Sequence, residues 1–126
     1  MINFNQDSVF NLKEVDNSLA HDEINNFLID GEEVISVFKT IRDQIIFTNK
    51  RIISINVQGI TGKKKSYSSM PYSKIQYFTV QTPGFIELFA DSELFIKFTD
   101  GFEASFEFKA KVDILKICTS ISTYVL

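Results

Sequence analysis

Tryptophan is absent from the 126 residues, and cysteine and histidine occur once each, as Cys118 and His21. An internal disulfide is therefore impossible, and the Cys/His sets that hold structural zinc cannot be assembled. Two prolines and five glycines are too few for a collagen-like or low-complexity chain. No stretch approaches the ~20 uninterrupted apolar residues of a membrane-spanning helix. The opening MINFNQDSVF has neither the basic start nor the apolar run of a signal peptide, so a cytoplasmic chain is expected. Metal and nucleophile chemistry lack their usual parts, and no cofactor is expected. What remains is ordinary for a globular domain: 44% hydrophobic and 23% charged residues in 14.4 kDa, enough for one core, with thirteen phenylalanines to fill it.

Acid is missing from a long central stretch. Between Gln44 and Ile86 stand six basic residues (Lys50, Arg51, Lys63, Lys64, Lys65 and Lys74) and no Asp or Glu. The flanks are acidic, with nine acids against three bases before Gln44 and seven against four after Ile86, so the chain carries a net charge of −3. Such segregation suits a basic face for an anionic partner, or two complementary faces that meet in self-association. The net acidity argues against nucleic acid as the partner.

Residues 1–30 read as a helical extension. Asp16 or Ser18 caps a segment in which Leu19, Ile24, Phe27 and Leu28 fall near one stripe, with Asp22 and Glu23 in the early turns. Val9, Phe10 and Leu12 read as a further short turn. After Gly31 the period changes to two. Val34 to Ile41 and Ile45 onward read as strands broken at Arg42-Asp43. A three-residue loop Asn49-Lys50-Arg51 then pairs Thr48 with Ile52, Phe47 with Ile53 and Ile45 with Ile55. Gln58 to Lys65 reads as a loop, followed by strands at Lys65–Met70 and Lys74–Gln81 and a Pro83-Gly84 turn. Phe102, Ala104, Phe106 and Phe108 alternate with polar residues, and their partner strand has Leu94, Ile96 and Phe98. Only a Thr99-Asp100-Gly101 loop, with Gly101 left-handed, sets Phe98 opposite Phe102 and Ile96 opposite Ala104. A helix over Val112–Tyr124, with Ile114, Ile117, Cys118, Ile121 and Val125 as its apolar stripe, closes the chain. About seven strands followed by one apolar-faced helix is the pattern of a small sandwich or partly open barrel plugged by that helix.

The segments GEEV (Gly31 to Val34), IRDQIIFTNKRIISINVQGITGKK (Ile41 to Lys64) and PYSKI (Pro71 to Ile75) resemble the bacterial pleckstrin-homology (PH) domain family, FTNKR being the most specific part. The resemblance covers about Asp30 to Leu126, so residues 31–126 are read as the PH-like domain. It implies a mainly β, PH-like barrel of two near-orthogonal antiparallel sheets of seven strands, capped by the C-terminal helix. It also implies homo-oligomeric rings and no catalytic residue. Two departures from eukaryotic PH domains follow from the same likeness. The loop Ile41-Arg42-Asp43-Gln44, where phosphoinositide binders have a long basic one, is short and charge-balanced, so the usual lipid pocket is not expected. The Trp kept in the eukaryotic last helix is missing, which leaves Ile117 or Ile121 to fill its space.

Lys50, Arg51, Lys63, Lys64 and Lys65 are the candidate binding residues: a lysine run on a Gly-containing loop, with a basic hairpin beside it, can hold a phosphate, an anionic lipid or an acidic surface. The plain alternative is a solvated loop. Arg51 stands apart, because an arginine at a hairpin end can pair bidentately with a carboxylate of its own chain or a neighbour. His21 reads as a surface histidine and Cys118 as an inert buried thiol. The pairs Glu32-Glu33 and Glu103/Glu107 do not make the buried, pKa-split pair of acid–base catalysis. GITGKKKS has its first Gly too close to GK for a phosphate loop. Phe85 and Phe89 form either an exposed hydrophobic tip or part of the core. The function expected is a non-catalytic, ring-forming scaffold or adaptor, with self or another protein as partner and the N-terminal arm packed on the barrel or on a neighbouring subunit. A peripheral binder of anionic lipid or phosphate-bearing ligands is the alternative.

Overall fold

The computed structural model describes residues 6–20, 22–82, 91–110 and 112–126. The first element is a strand, β1 (Gln6–Val15). It is followed by β2 (Val34–Lys39), β3 (Gln44–Thr48), β4 (Arg51–Gln58), β5 (Lys64–Pro71), β6 (Ile75–Gln81), β7 (Ser92–Phe98), β8 (Glu103–Phe108) and helix α1 (Ile114–Val125). The chain divides into two compact units, one being Glu14–Pro71 and the other the segments on either side of it. Hydrogen-bonded neighbours run β5-β4-β3-β2 in the Glu14–Pro71 unit and β1-β8-β7-β6 in the other, eight strands where a seven-stranded barrel was expected. The added strand is β1.

That strand replaces the expected N-terminal helix, and no described residue before Gly31 is α-helical. β1 runs parallel to β8, and three residues from Val9 to Leu12 span the two from Phe106 to Phe108. The extra residue is a bulge in which Asn11 adopts φ 63°, a conformation that asparagine tolerates better than most side chains. The bulge buries both Val9 and Leu12, and this three-residue spacing is what made a strand read as a turn of helix. Downstream, Asp16 does act as a cap, its carboxylate accepting from the Ser18 N–H at 2.9 Å. It starts only a 3-10 turn, Asn17–Leu19, and a second one covers Asp22–Asn26. Asn17, Asn25 and Asn26 favour such turns over a continuous helix, and Leu19 and Phe27 leave the stripe for solvent.

In the Glu14–Pro71 unit, β2 to β5 form an antiparallel meander. Val37 faces Ile46, which faces Ile53, and Ile55 faces Tyr67. These side chains, with Ile24, form one core against which Val15, Ala20, Leu28 and Val34 pack. On the other face Phe38 meets Phe47 edge to face, with ring centroids 5.6 Å apart. The β3–β4 register differs by one from the expected pairing, with Phe47 opposite Ile52 and Gln44 opposite Ile55 across a two-residue connection, Asn49-Lys50. All five residues of β3 are buried, so the wet and dry alternation that would have exposed the slip is missing.

In the other unit the expected register holds. Ile96 faces Ala104, Leu94 faces Phe106, the Phe98 N–H donates to the Phe102 carbonyl at 2.9 Å, and Gly101 has φ 92°. Asp113 caps α1 by accepting from the Lys116 N–H at 3.2 Å. Ile114, Ile117 and Ile121 are buried, Cys118 is half-buried, and Tyr124 stacks on Tyr72 at 5.6 Å. The Pro83-Gly84 turn, Phe85 and Phe89 lie outside the described residues, as does His21. If the bulge sets the β1 register, Asn11→Val lowers stability by about 1–2 kcal/mol while Asn11→Gly does not, a difference read directly by thermal unfolding.

Candidate functional site

The β3–β4 connection is built from the residues that looked most specific in the sequence. The Glu32 carboxylate is withdrawn from water, its side chain having no accessible surface. Burial alone would push its pKa up. Hydrogen bonds from the Arg51 guanidinium, the Thr48 hydroxyl (2.7 Å) and the Ile29 N–H (3.1 Å) outweigh that and hold it below the usual value. Arg51 pairs bidentately, Nε with one carboxylate oxygen and Nη2 with the other, both at 2.9 Å. Its remaining donors reach the Phe27 carbonyl and Ser69 Oγ (3.0 Å). The Thr48 oxygen accepts from the Lys50 and Arg51 N–H groups, each at 3.0 Å, which folds the turn. Asn49 donates to the Gly31 carbonyl (2.9 Å) and accepts from the Glu33 N–H (2.8 Å). Thus GEE and TNKR are two halves of one hydrogen-bonded clasp, and the expected structural ion pair of Arg51 is made within the chain.

The five candidate basic residues are not brought together. Arg51 is held in the clasp, with exposed Lys50 beside it. Lys63 and Lys64 lie at the far end of β4, about 23 Å away for seven residues of strand. Lys65 pairs with Glu23 at 2.8 Å, and that hydrogen bond holds the ammonium pKa above its ordinary value. Lys63 and Lys64 are exposed and make no ion pair among the described residues.

At that far end, two tight turns lie side by side. In one, the Thr40 N–H donates to the Asp43 carbonyl (2.9 Å), with Ile41 and Arg42 at the tip. In the other, the Gly62 N–H donates to the Gly59 carbonyl (3.3 Å), with Ile60 and Thr61 at the tip. The Arg42 guanidinium donates to the Gly59 carbonyl, and the Asp43 carboxylate accepts from the Val57 N–H at 2.9 Å, so the turns are tied to each other and to β4. Ile41 and Ile60 are fully exposed, at 99% and 105% relative accessibility. Ile41 looked like the end of a strand; its place just before Arg42-Asp43, and that of Ile60 between two glycines, were the available signals that both sit in turns.

Among the described residues no catalytic constellation emerges. Glu32 is neutralised by Arg51 while Glu33 is exposed, Glu103 and Glu107 stand on β8, and burial pushes the Cys118 thiol pKa up, away from nucleophilicity. Among the described residues no group of His, Cys, Asp and Glu is placed to hold a metal ion, and no helix is long and apolar enough to cross a membrane.

Breaking the clasp has a definite signature. Arg51→Met strands a buried carboxylate and lowers stability by about 3–5 kcal/mol, whereas adding Glu32→Leu recovers much of the loss. Because the Glu32 pKa is depressed in the fold, its contribution is full above the unfolded value near 4.5 and is lost as pH falls through the folded value. Denaturant unfolding across that acid range shows the decline in the wild type and a flatter profile in Glu32→Gln.

Comparison with known proteins gives the family. A bacterial PH domain family model matches residues 3–125, so the likeness takes in the first thirty residues as well. An uncharacterized protein of Bacillus subtilis (strain 168), YjqA, is 36% identical over 107 residues, covering 85% of this chain and 86% of the relative. A crystallised DUF1696 family protein with a pleckstrin-homology domain, from Shewanella loihica PV-4, shares 34% identity with a TM-score of 0.80 over 94% of this chain and all of that one. A pleckstrin-homology domain from Shewanella amazonensis SB2B is 37% identical with a TM-score of 0.67 over 90% and 91% of the two chains. With the family model spanning almost every residue, the chain belongs to the bacterial PH domain family.

Proposed function

We propose that the chain is a non-catalytic PH-like module that works as a homo-oligomeric scaffold or adaptor, assembling through strand β6. One observation carries this reading. An outermost strand presents a row of unpaired N–H and C=O groups, and sheet proteins usually protect such edges with lysine, proline or distortion. The two outermost strands differ in this respect: β5 carries Lys64, Lys65 and Pro71, whereas β6, IQYFTVQ, has no charge and no proline. Its only irregularity lies between Ile75 and Tyr77, and from Tyr77 to Gln81 it pairs regularly with β7. Tyr77 is exposed and lies beside Phe95, with ring centroids 6.3 Å apart. The segregated charges support assembly less, because Arg51 and Lys65 already find Glu32 and Glu23 in the same chain.

Light scattering on a sizing column is the test. The expected result is a single mass above 14.4 kDa that persists at high salt and falls to the monomer in Thr79→Lys. A doubled mass identifies β6 pairing with β6 of a second copy, and a higher closed multiple identifies head-to-tail pairing of β6 with β5 around a ring. A clean monomer at every concentration overturns the proposal.

A further inference from the structure

We infer that the outer face of strands β6 to β8 is a docking surface for an arginine-bearing segment of another protein, Phe95 lying under the arginine and Glu93 and Glu107 receiving its guanidinium. The surface goes beyond self-association, since it is a face of the sheet and not its β6 edge. Three observations converge on it. First, β7 alternates, with Ser92, Leu94, Ile96 and Phe98 buried, so Phe95 belongs to the opposite face and is not part of the core. It is half-buried between the short side chains of Thr79 and Ser105, with exposed Tyr77 beside it, ring centroids 6.3 Å apart. Second, the register sets Glu93 directly opposite Glu107, with uncharged Gln81 on the other side of Glu93, and like charges so placed oppose strand pairing. Third, the sheet answers charge with charge four residues along β7, where Lys97 faces Glu103, but not here. Among the described residues, Glu93, Glu107 and the nearby Lys109 make no ion pair.

This arrangement fits arginine better than lysine. Side chains paired across antiparallel strands stand about 5 Å apart at Cβ, which lets two carboxylates receive two edges of one planar guanidinium, whereas a compact ammonium has no such fork. Phe95 lies two residues from Glu93 on the same face, within reach of stacking under the same side chain, a contact that arginine makes more often than lysine. Two glutamates alone would draw any cation, and an aromatic pair alone any apolar group. Side by side, they select a side chain that is both planar and charged. The energetics of the free chain point the same way, because a cation seated between Glu93 and Glu107 removes a repulsion that the sheet otherwise carries.

The test titrates the isotope-labelled full chain with a short acetylated and amidated peptide of alternating glycine and arginine, read by backbone amide NMR at low salt, against lysine and citrulline counterparts. The arginine peptide should shift the amides around Glu93, Phe95 and Glu107. Lysine should bind several-fold more weakly, and citrulline, which keeps the planar shape without the charge, not at all. Glu93→Gln with Glu107→Gln should weaken binding about tenfold or more, and Phe95→Leu about threefold. Because the glutamines remove the cross-strand repulsion, the thermal midpoint of that double variant should equal or exceed that of the wild type, which separates loss of binding from loss of fold. No shift at this face with the arginine peptide overturns the inference, as does equal binding of the lysine peptide or binding that survives both glutamines. A lower midpoint in the double variant overturns it too, by showing that the two carboxylates already have a partner within the chain. So does a changed solution mass in that variant, which would mean that a second copy covers the face. The β6 reading stands or falls separately, since neither glutamate is on β6.

Discussion

A carboxylate taken out of water must be met by donors or give up its charge, and most of the Glu14–Pro71 unit is arranged around meeting Glu32. Its partners come from three places: Ile29 just before it, Thr48 at the end of β3, and Arg51 at the start of β4. Arg51 reaches on to Phe27 and to Ser69 on β5, so one guanidinium joins the turn segment, the hairpin and the next strand. A planar fork with several fixed donors can do this, and a lysine cannot. The same contacts set the length of the β3–β4 connection, because Thr48 must place its hydroxyl under the Lys50 and Arg51 N–H groups while still donating to Glu32.

That constraint decides what each end of the meander is available for. At the clasp end, the polar side chains of Thr48, Asn49 and Arg51 are engaged by the fold. At the opposite end the turns need only backbone bonds and the Arg42 and Asp43 contacts, which leaves Ile41, Ile60, Lys63 and Lys64 facing outward. The strand length between the two ends splits a basic stretch that is nearly continuous in sequence.

Legibility followed the contrast between faces. β7 and β8 each have one dry face and one less buried face, so a single trial of loop lengths recovers the register and the left-handed Gly101. β3 has no such contrast, being buried throughout, and its pairing with β4 slipped by one in the reading. β1 failed for another reason. A bulge at Asn11 turns a two-residue period into a spacing of three, which imitates a helix, and a parallel partner a hundred residues away leaves no local trace. The helix read over residues 16–28 had real caps and acids in place but too much asparagine, and tertiary contacts of Ile24 and Leu28 settled it as short 3-10 turns. Arg51 was legible as an ion-pairing residue by type and position, but Glu32 and Thr48 were not legible as its partners.

The sequence alone determined the class of the molecule: its mainly β pattern, the closing helix, the family motif and the lack of parts for metal or nucleophile chemistry are all local or compositional properties. The tertiary structure alone decided that the N-terminal segment is a strand, which acid Arg51 answers to, and that Arg42 ties the turn of Ile41 to that of Ile60. Each of these depends on residues distant in the chain, where hydrogen bonding and burial rather than local propensity choose the partner.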